Sequence, residues 1–336
     1  MAQVVLGIGT SHTPQLSSGA DNWSLHAERD ARVKSYVGPD GNDTTFEERV
    51  ANADPKIAPQ LAMEVWKEKD ARANEHLDTL GKYLQEADLD VLVIVGDDQR
   101  ELFGPKGNPA LGLFLGEQLW DLGNTEESLA KTPPDIRLSR WATHADHPDP
   151  YPVPADLSRD LAERLIDDDF DVTVFSEQQE GLTLGHAFTF LRLRLGLPSD
   201  VRILPVFLNT FYPPNVMSPR RCWALGAALR RAVEAWPEDL RVGFAASGGL
   251  SHTMINEDFD RKVIAAMAGH DGDAVAAIPK KFFRAGNSEC LNWLVVGGAM
   301  HDARMDVLDY IPAYRSPAGT GTAMTFARWT PEGQAA

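Results

Sequence analysis

Residues 90–99 read DVLVIVGDDQ, and this stretch places a run of apolar residues directly before three polar side chains. The five residues after the first aspartate are apolar and mostly β-branched, which is typical of a strand buried on both faces. Asp97, Asp98 and Gln99 would then lie at the carboxyl end of that strand, where ligands bind in α/β sheets. Two adjacent acids at this place either face a cation or occupy the positive end of a helix.

Predicted strands and helices alternate along the rest of the chain. The strands are predicted at residues 4–8, 90–96, 109–115, 171–176, 201–208 and 241–246. The helices are predicted at residues 61–87, 155–167, 185–195, 219–235, 258–267 and 290–299. This alternation predicts the α/β class. Because no convincing linker divides the chain, we expect a single large domain over residues 1–336.

Residues 19–60 interrupt this alternation. The segment is rich in Asp, Gly and Asn and has little apolar periodicity. Long irregular segments inside compact domains are often functional. We therefore predict a long excursion over the surface that acts as a lid-like insertion.

Composition and charge exclude several classes of protein. The chain has 336 residues, of which 43% are hydrophobic, and this is enough for a substantial core. A net charge of −17 argues against nucleic acids and anionic membranes as partners. No apolar run approaches the roughly 20 residues of a membrane span, and we expect no secretion signal. Cys222 and Cys290 make no disulfide framework, so a cytoplasmic location is expected.

Three polar side chains stand beside predicted ends of strands or helices. His12 precedes Pro14 in a turn after the first strand, and it is either a positioned ligand or a histidine that caps a helix. His252 follows two glycines and is either an acid–base group or a satisfied buried histidine. Glu289 stands in a first helical turn, where a glutamate is commonly only a capping residue.

Two further residues have weaker signals. His186 follows Gly185 at a predicted helix start, where a cap or a core residue is the simpler interpretation. Arg315 belongs to the glycine-rich segment 314–322. That segment either binds an anion through backbone N–H groups and the guanidinium or forms only a tight turn.

Several short motifs, in order along the chain, resemble those of one enzyme family. They are SHTP (11–14), LPV (204–206), YPP (212–214), RC (221–222), WPEDL (236–240) and GGLSH (248–252). Through them the chain resembles the class III, or LigB-type, extradiol ring-cleavage dioxygenases, such as the gallate, 3-O-methylgallate and protocatechuate 4,5-dioxygenases. The resemblance extends from Val4 to about Trp329. It implies an α/β domain with a central mixed sheet flanked by helices.

The resemblance also implies a metal site. The family holds one Fe(II) through two histidines and one glutamate, which leaves open positions for substrate and O₂. His12 matches the first of these ligands and Glu289 matches the third. His252 matches the acid–base histidine of the family, and His186 matches a second histidine of the pocket.

At the second ligand the chain departs from the family, because Gln99 stands where the pattern has a histidine. Gln99 would ligate through its amide oxygen, or Asp98 would replace it and leave one histidine with two carboxylates. A third alternative takes the ligand from elsewhere, with His26 and His144 as candidates. An oxygen-richer ligand set suits Fe(II) or Mn(II) and disfavours softer metals.

The function implied by the resemblance is extradiol cleavage of a catechol-type aromatic acid by O₂. The metal would bind two adjacent substrate oxygens, His252 would transfer protons, and Arg315 would bind a substrate carboxylate. A homodimer is expected, in which residues 19–60 cover the pocket; the alternative is a separate small subunit that covers it. Because Gln99 departs from the family pattern, a second interpretation of the function stays open. The chain would then be a LigB-type binding protein or metal hydrolase with an altered or lost metal site.

Overall fold

The computed structural model of the protein describes residues 1–104 and 107–331, which fold around one large sheet. The strands are β1 (Gln3–Thr10), β2 (Tyr36–Val37), β3 (Asp43–Thr44), β4 (Val91–Gly96), β5 (Leu111–Phe114), β6 (Gln118–Asp121), β7 (Asp149–Pro152), β8 (Thr173–Phe175), β9 (Arg202–Leu208), β10 (Arg241–Ser247), β11 (His252–Met254), β12 (Arg304–Tyr314) and β13 (Thr320–Thr330). The α-helices are α1 (Pro14–Ser18), α2 (Trp23–Asp30), α3 (Phe46–Ala51), α4 (Met63–Glu86), α5 (Glu126–Lys131), α6 (Pro134–Arg137), α7 (Ala155–Asp167), α8 (His186–Leu193), α9 (Pro219–Glu234), α10 (Glu257–Ala268), α11 (Gly272–Ala277) and α12 (Cys290–Ala299). Short 3₁₀ turns lie at Ala20–Asn22, Ala58–Leu61, Arg140–Ala142, Lys280–Phe282 and Ala285–Glu289.

The large sheet has nine strands with mixed directions. Its main path follows the order β11-β13-β1-β10-β4-β9-β5-β8, and β12 pairs with β13. The four strands β1, β10, β4 and β9 are parallel to their neighbours in this group. Strands β13 and β5 are antiparallel to β1 and β9, respectively. The prediction of an α/β domain with a central mixed sheet flanked by helices is therefore confirmed.

Strand β4 shows why helices cover both faces of the sheet. Val91, Val93 and Val95 belong to one core together with residues of α7, α9, α10 and α12. Leu92 and Ile94 belong to a second core together with residues of α4 and α8. Successive side chains of a strand point to opposite faces, so an uninterrupted apolar run requires cover on both of them.

The long predicted helices are present, with small shifts at their ends. Helix α12 is observed at Cys290–Ala299, and α4 at Met63–Glu86 lies within the predicted residues 61–87. Helix α4 has 24 residues, but charged side chains interrupt its apolar positions. Within the part of the chain that the structure describes, no helix is both long enough and apolar enough to cross a membrane.

The segment 19–60 is more ordered than its sequence suggests. It contains α2, α3 and the hairpin of β2 and β3. Trp23 of α2 is fully buried and donates from Nε1 to the carbonyl oxygen of Gln15 at 2.9 Å, and His26 is also fully buried. Helix α2 has only two turns, which is too short to show apolar periodicity. The sequence therefore predicts a surface excursion where the structure has a helix that packs into the core. The role of the segment as a lid stays a prediction.

The order of the central strands brings distant segments together. Strands β1, β10 and β4 are parallel neighbours, so their carboxyl ends lie along one edge of the sheet. The segments after these ends contain His12, His252 and the turn 97–99. This edge is where ligands bind in α/β sheets.

Candidate metal centre

Three buried side chains form a possible metal-binding triad at this edge. His12 follows β1, Asp97 follows β4, and Glu289 ends the 3₁₀ turn before α12. One ligand atom of each residue lies within 4.8 Å of the ligand atoms of the other two. One nitrogen and two carboxylates at this separation can hold a single cation between them.

The imidazole of His12 is held in the orientation of a ligand. Its Nδ1 lies 2.9 Å from the Oγ of Ser247, which fixes the ring and leaves Nε2 facing Glu289. Nε2 is buried and has no hydrogen-bond partner among the described residues, although the Oε2 of Glu289 lies 3.4 Å away. Burial lowers the pKa of His12, which favours the neutral form that ligates a metal. An orphaned buried nitrogen of this kind is costly, and a metal ion would satisfy it.

Two glycines allow Glu289 to approach the strand end closely. The backbone N–H of Gly249 donates to the Oε2 of Glu289 at 3.0 Å. Gly248 has a φ of +141°, and a Cβ at this residue would lie 3.0 Å from the same oxygen. A side chain at residue 248 would therefore be strained and would crowd the carboxylate, which explains the paired glycines of the motif.

The electrostatics of the triad also suit a cation. Burial and the charge of Glu289 raise the pKa of Asp97 to about 7. Burial alone would also raise the pKa of Glu289, but the neighbouring His252 and His12 lower it well below its ordinary value. Two buried carboxylates this close repel each other unless a proton or a cation lies between them. A divalent ion would allow both to ionise.

Gln99 reaches the triad, as the comparison with the family pattern suggests. Its Nε2 donates to the Oδ2 of Asp97 at 3.3 Å and to the Oε1 of Glu289 at 3.4 Å. In this orientation the amide nitrogen faces the two acids. Rotation of the amide by about 180° would place its oxygen where the nitrogen now lies, beside the two acids. Ligation by Gln99 through this oxygen stays a prediction.

Asp98 is not placed as a ligand, which corrects the second of the three alternatives. Its Oδ1 accepts the backbone N–H of Leu102 at 2.8 Å, and its Oδ2 accepts that of Arg100 at 3.0 Å. The side chain therefore stabilises the turn after β4, while the adjacent Asp97 points to the triad. Asp97 has no assigned role in the sequence, because strand alternation places the two acids on opposite sides without showing which one reaches the triad.

This difference between neighbouring acids gives a paired prediction. We expect Asp97→Asn to weaken the binding of Mn(II) at least tenfold, because one charged ligand is lost. Asp98→Asn should leave Mn(II) affinity unchanged and lower the free energy of unfolding by about 1–2 kcal/mol through weaker capping. Calorimetric titration with Mn(II) and chemical denaturation measure the two effects. Equal losses of Mn(II) affinity in both variants would contradict the assignment.

His26 and His144, the third alternative, are engaged elsewhere. The Nδ1 of His26 donates to the Oδ2 of Asp135 at 2.9 Å, and its Nε2 lies 2.9 Å from the Oγ of Ser18. The Nδ1 of His144 donates to the Oδ1 of Asp121 at 2.7 Å. Neither belongs to the triad, and each has a carboxylate partner of its own.

His252 lies against the triad in a position suited to proton transfer. Its Nδ1 donates to the carbonyl oxygen of Leu250 at 3.0 Å, and its Nε2 lies 3.2 Å from the Oε1 of Glu289. Burial alone would lower the pKa of His252, but Glu289 raises it above the ordinary value. The ring also lines a cavity, so its proton is accessible to a bound molecule.

His186 is paired with Glu101, a residue that sequence analysis missed. The Nδ1 and the backbone N–H of His186 lie 2.8 and 3.0 Å from the Oε1 of Glu101. Burial alone would lower the pKa of His186, but Glu101 raises it to about 10, so the ring carries a positive charge. The rings of His186 and His12 are 4.6 Å apart. A lone glutamate in a turn has no sequence signal that could have identified this role.

A cavity of about 450 Å³ opens beside the triad. The residues that line the cavity include His12, Gln99, Glu101, His186, His252 and Glu289. Arg29, Ser139, Arg140, Thr143 and Phe211 are among the other lining residues. The structure therefore brings together five residues singled out from the sequence, and adds two arginines that were not.

Arg315 does not line this cavity, contrary to the expectation that it binds a substrate carboxylate. Its Nε and Nη2 donate to the two carboxylate oxygens of Asp30 at 2.7 and 3.0 Å. Its Nη1 donates to the Oε1 of Gln15 at 2.9 Å. The guanidinium is buried and its hydrogen-bonding capacity is used inside the fold, so it has a structural role.

Removal of this buried ion pair should destabilise the protein. We expect Arg315→Met to lower the free energy of unfolding by about 3–5 kcal/mol, because the carboxylate of Asp30 would stay buried without its partner. Denaturant unfolding measures the change. A variant of unaltered stability that has lost its affinity for aromatic acids would show instead that Arg315 binds the substrate.

The fold and the site together define an α/β protein with a possible mononuclear metal centre at the carboxyl ends of parallel strands. A family model described as the catalytic LigB subunit of aromatic ring-opening dioxygenase matches residues 125–325, which is more than half of the chain. The chain therefore belongs to this family. The matched region contains His186, His252 and Glu289.

Three curated relatives match a shorter region. The gallate dioxygenase of Pseudomonas putida is 39% identical over 107 residues, which cover 31% of this chain and 30% of the relative. Two proteins named 2,3-dihydroxyphenylpropionate/2,3-dihydroxicinnamic acid 1,2-dioxygenase also match. That of Paraburkholderia xenovorans is 36% identical over 100 residues, 30% of either chain, and that of Comamonas testosteroni is 31% identical over 105 residues, 31% of either chain. The matched part of the chain thus spans less than a third of the length of each relative.

Proposed function

We propose that the protein is an extradiol dioxygenase, which uses O₂ to open the ring of a catechol-type aromatic acid next to its two hydroxyl groups. The observation that carries the proposal is the buried triad of His12, Asp97 and Glu289, because two of its members line the same cavity as His252. Membership of the LigB family supports the reaction class. The names of the relatives support an aromatic acid with adjacent hydroxyl groups as the substrate.

His12, Asp97 and Glu289 would hold one metal ion, with the amide of Gln99 beside it. A ligand set of one nitrogen and carboxylate oxygens suits Fe(II) or Mn(II), and the resemblance to the family favours Fe(II). When bound, such an ion supplies a Lewis acid with open positions for two substrate oxygens and for O₂. Ser247 would keep the His12 ring in the ligating orientation through its contact with Nδ1.

The residues of the chain would move protons and position charge. His252 takes a proton from one substrate hydroxyl and returns it as the ring opens, since its ring lines the cavity and is fixed by Leu250. His186, held in its charged form by Glu101, stabilises negative charge on a substrate oxygen. The reaction consumes one molecule of O₂ for each ring. One ring C–C bond beside the diol breaks, and both oxygen atoms enter the product. One enters a carboxylate, and the other enters an aldehyde when the second carbon of the broken bond carries hydrogen, or a second carboxylate when that carbon carries a hydroxyl group.

Oxygen consumption tests this proposal. The protein is reconstituted with Fe(II) without air and then supplied with O₂ and gallate, protocatechuate or 3-O-methylgallate. We expect uptake of one O₂ for each molecule of at least one substrate. The expected absorbance is that of a ring-opened semialdehyde from protocatechuate, of a ring-opened oxo acid from gallate, or of a lactone if the methoxy group of 3-O-methylgallate leaves. Retention of metal without O₂ uptake for any of the three would contradict the proposal.

A second candidate function follows from the departure at Gln99. Its amide nitrogen contacts both acids of the triad, and an amide at this place would weaken metal binding relative to a histidine. A LigB-type protein with such a site would bind an aromatic acid without oxidising it, or would hydrolyse a bond through a metal-bound water. The same experiment separates the dioxygenase from both of these alternatives, because neither a binding protein nor a hydrolase consumes O₂.

The segment 19–60 supports the part of the proposal that concerns subunits. Arg29 of α2 lines the cavity, so this segment contributes one residue to its lining. We therefore expect the chain to act without a small partner subunit, as a homodimer. Purification of the chain alone, with its mass in solution, tests this expectation. Activity that returns only when a second polypeptide is added would contradict it.

A further inference from the structure

The cavity beside the triad contains an arginine whose side chain is only partly used by the protein. Arg140 begins a 3₁₀ turn between α6 and β7, and it is half-buried. It lines the same cavity as His186 and His252. A molecule that fills this cavity would therefore contact both the arginine and the two histidines.

The hydrogen bonds of Arg140 leave one side of the guanidinium available. Its Nε donates to the Oδ1 of Asn124 at 3.1 Å. Within residues 1–104 and 107–331, its two terminal nitrogens have no acceptor at hydrogen-bonding distance, and no carboxylate oxygen lies within 4.0 Å. Burial lowers the pKa of this guanidinium, while the more distant Glu101 and Asp121 compensate in part. A half-buried charge with little compensation is costly, and a bound anion would compensate it.

Unlike Arg140, two other arginines near the site, Arg29 and Arg315, have carboxylate partners. The Nε of Arg29 donates to the Oδ2 of Asp135 at 2.6 Å, and 40% of its side chain is exposed to solvent. Arg315 is satisfied on both sides by Asp30 and Gln15 and does not line the cavity. Arg140 is thus the arginine of the cavity wall whose charge lacks a carboxylate partner within the described residues.

We propose that Arg140 binds the carboxylate of the aromatic acid and thereby selects acids over neutral catechols, an inference that rests on the proposed function. The two terminal N–H groups of a guanidinium match the two oxygens of a carboxylate, and such pairs are commonly bidentate. The diol of the substrate lies at the triad, and the carboxylate lies at the turn 140–142. Asn124 positions the guanidinium through Nε, so that its terminal nitrogens face the ligand.

Equilibrium binding without O₂ tests the inference. The ligands are protocatechuate, which has a carboxylate and a diol, and catechol, which has only the diol. Both are titrated into the Fe(II)-loaded protein and three variants, Arg140→Met, Arg140→Lys and the control Arg137→Met. Arg137 is exposed, belongs to the adjacent helix α6 and does not line the cavity.

We expect Arg140→Met to raise the Kd of protocatechuate about 10- to 100-fold, because a hydrogen-bonded charge is lost. The Kd of catechol should change less than about twofold. Arg140→Lys should restore part of the affinity, because it keeps the charge without the paired geometry. Arg137→Met should change neither Kd. The ratio of the two Kd values in one sample does not depend on the fraction of protein that is folded.

The inference would be overturned if Arg140→Met raised the Kd of both ligands equally, or if it left the Kd of protocatechuate unchanged. The outcomes for the reaction are separate. Binding of protocatechuate through Arg140 in a protein that consumes no O₂ with protocatechuate, gallate or 3-O-methylgallate would refute the proposed function and leave this inference standing. Turnover of protocatechuate with an unchanged KM in Arg140→Met would overturn the inference and leave the function standing. Absence of protocatechuate binding to the loaded wild-type protein would overturn the inference, and O₂ uptake with the other two substrates would still decide the function.

Discussion

Replacement of His12 by alanine is expected to weaken metal binding about 100- to 1000-fold and to reduce O₂ consumption to background. Structural sites with four ligands bind zinc with roughly 10–16 kcal/mol, so a single ligand contributes about 2.5–4 kcal/mol. In the triad, His12 is the only nitrogen ligand, and its Nε2 has no alternative partner within the described residues. Binding of Mn(II), followed by calorimetry or by the electron paramagnetic resonance of the free ion, measures the loss directly.

The control for this substitution is His147→Ala, which removes an exposed histidine outside the triad. We expect it to leave Mn(II) affinity and O₂ consumption unchanged. His12→Ala also leaves the hydroxyl of Ser247 without its partner, at a cost of about 1–3 kcal/mol, so its folding is checked by circular dichroism. Full metal retention in folded His12→Ala would remove this residue from the site.

His252→Asn is expected to lower the rate of ring opening about 10²- to 10⁴-fold, the range usual for loss of a general acid–base group. Asparagine can still donate to the carbonyl oxygen of Leu250, so the loop after β10 should keep its conformation. Because His252 is not a member of the triad, affinity for Mn(II) should change only a few-fold. Steady-state O₂ uptake and metal titration on the same preparation separate the two effects.

Two other results would assign His252 differently. Activity within about threefold of the wild type would exclude acid–base catalysis by this residue, since a proton-transfer group contributes at least a hundredfold. Loss of metal in parallel with activity would make it a ligand or a support of Glu289, whose Oε1 lies 3.2 Å from its Nε2. Retention of metal with loss of turnover is the result that the structure favours.

Much of the architecture could be predicted because the signals are local. The apolar run of β4 shows a strand buried on both faces, and helix α12 coincides with its predicted residues 290–299. The segment 19–60 was less predictable, because α2 buries Trp23 and His26 through a helix of only two turns. Short elements depend on tertiary packing more than on periodicity.

The details of the site depended on contacts that no local pattern contains. Asp97 and Asp98 are adjacent and chemically equivalent in the sequence, yet one points to the triad and the other accepts backbone N–H groups of the following turn. Glu101 became visible only through its contact with His186, a residue 85 positions away in the chain. The guanidinium of Arg315 is chemically suited to bind a substrate carboxylate, but it forms an ion pair with Asp30, which is 285 positions away in the chain.

The sequence by itself determined the α/β class, and its motifs, through their resemblance to the LigB-type family, singled out His12, His252 and Glu289. It could do so because strand periodicity and short motifs are properties of neighbouring residues. Only the tertiary structure decided that Asp97 completes the triad and that Arg140, in place of Arg315, lines the cavity. The physical reason is that the order of β1, β10 and β4 sets which loops meet, and the partners within those loops then set which charges remain available to a ligand.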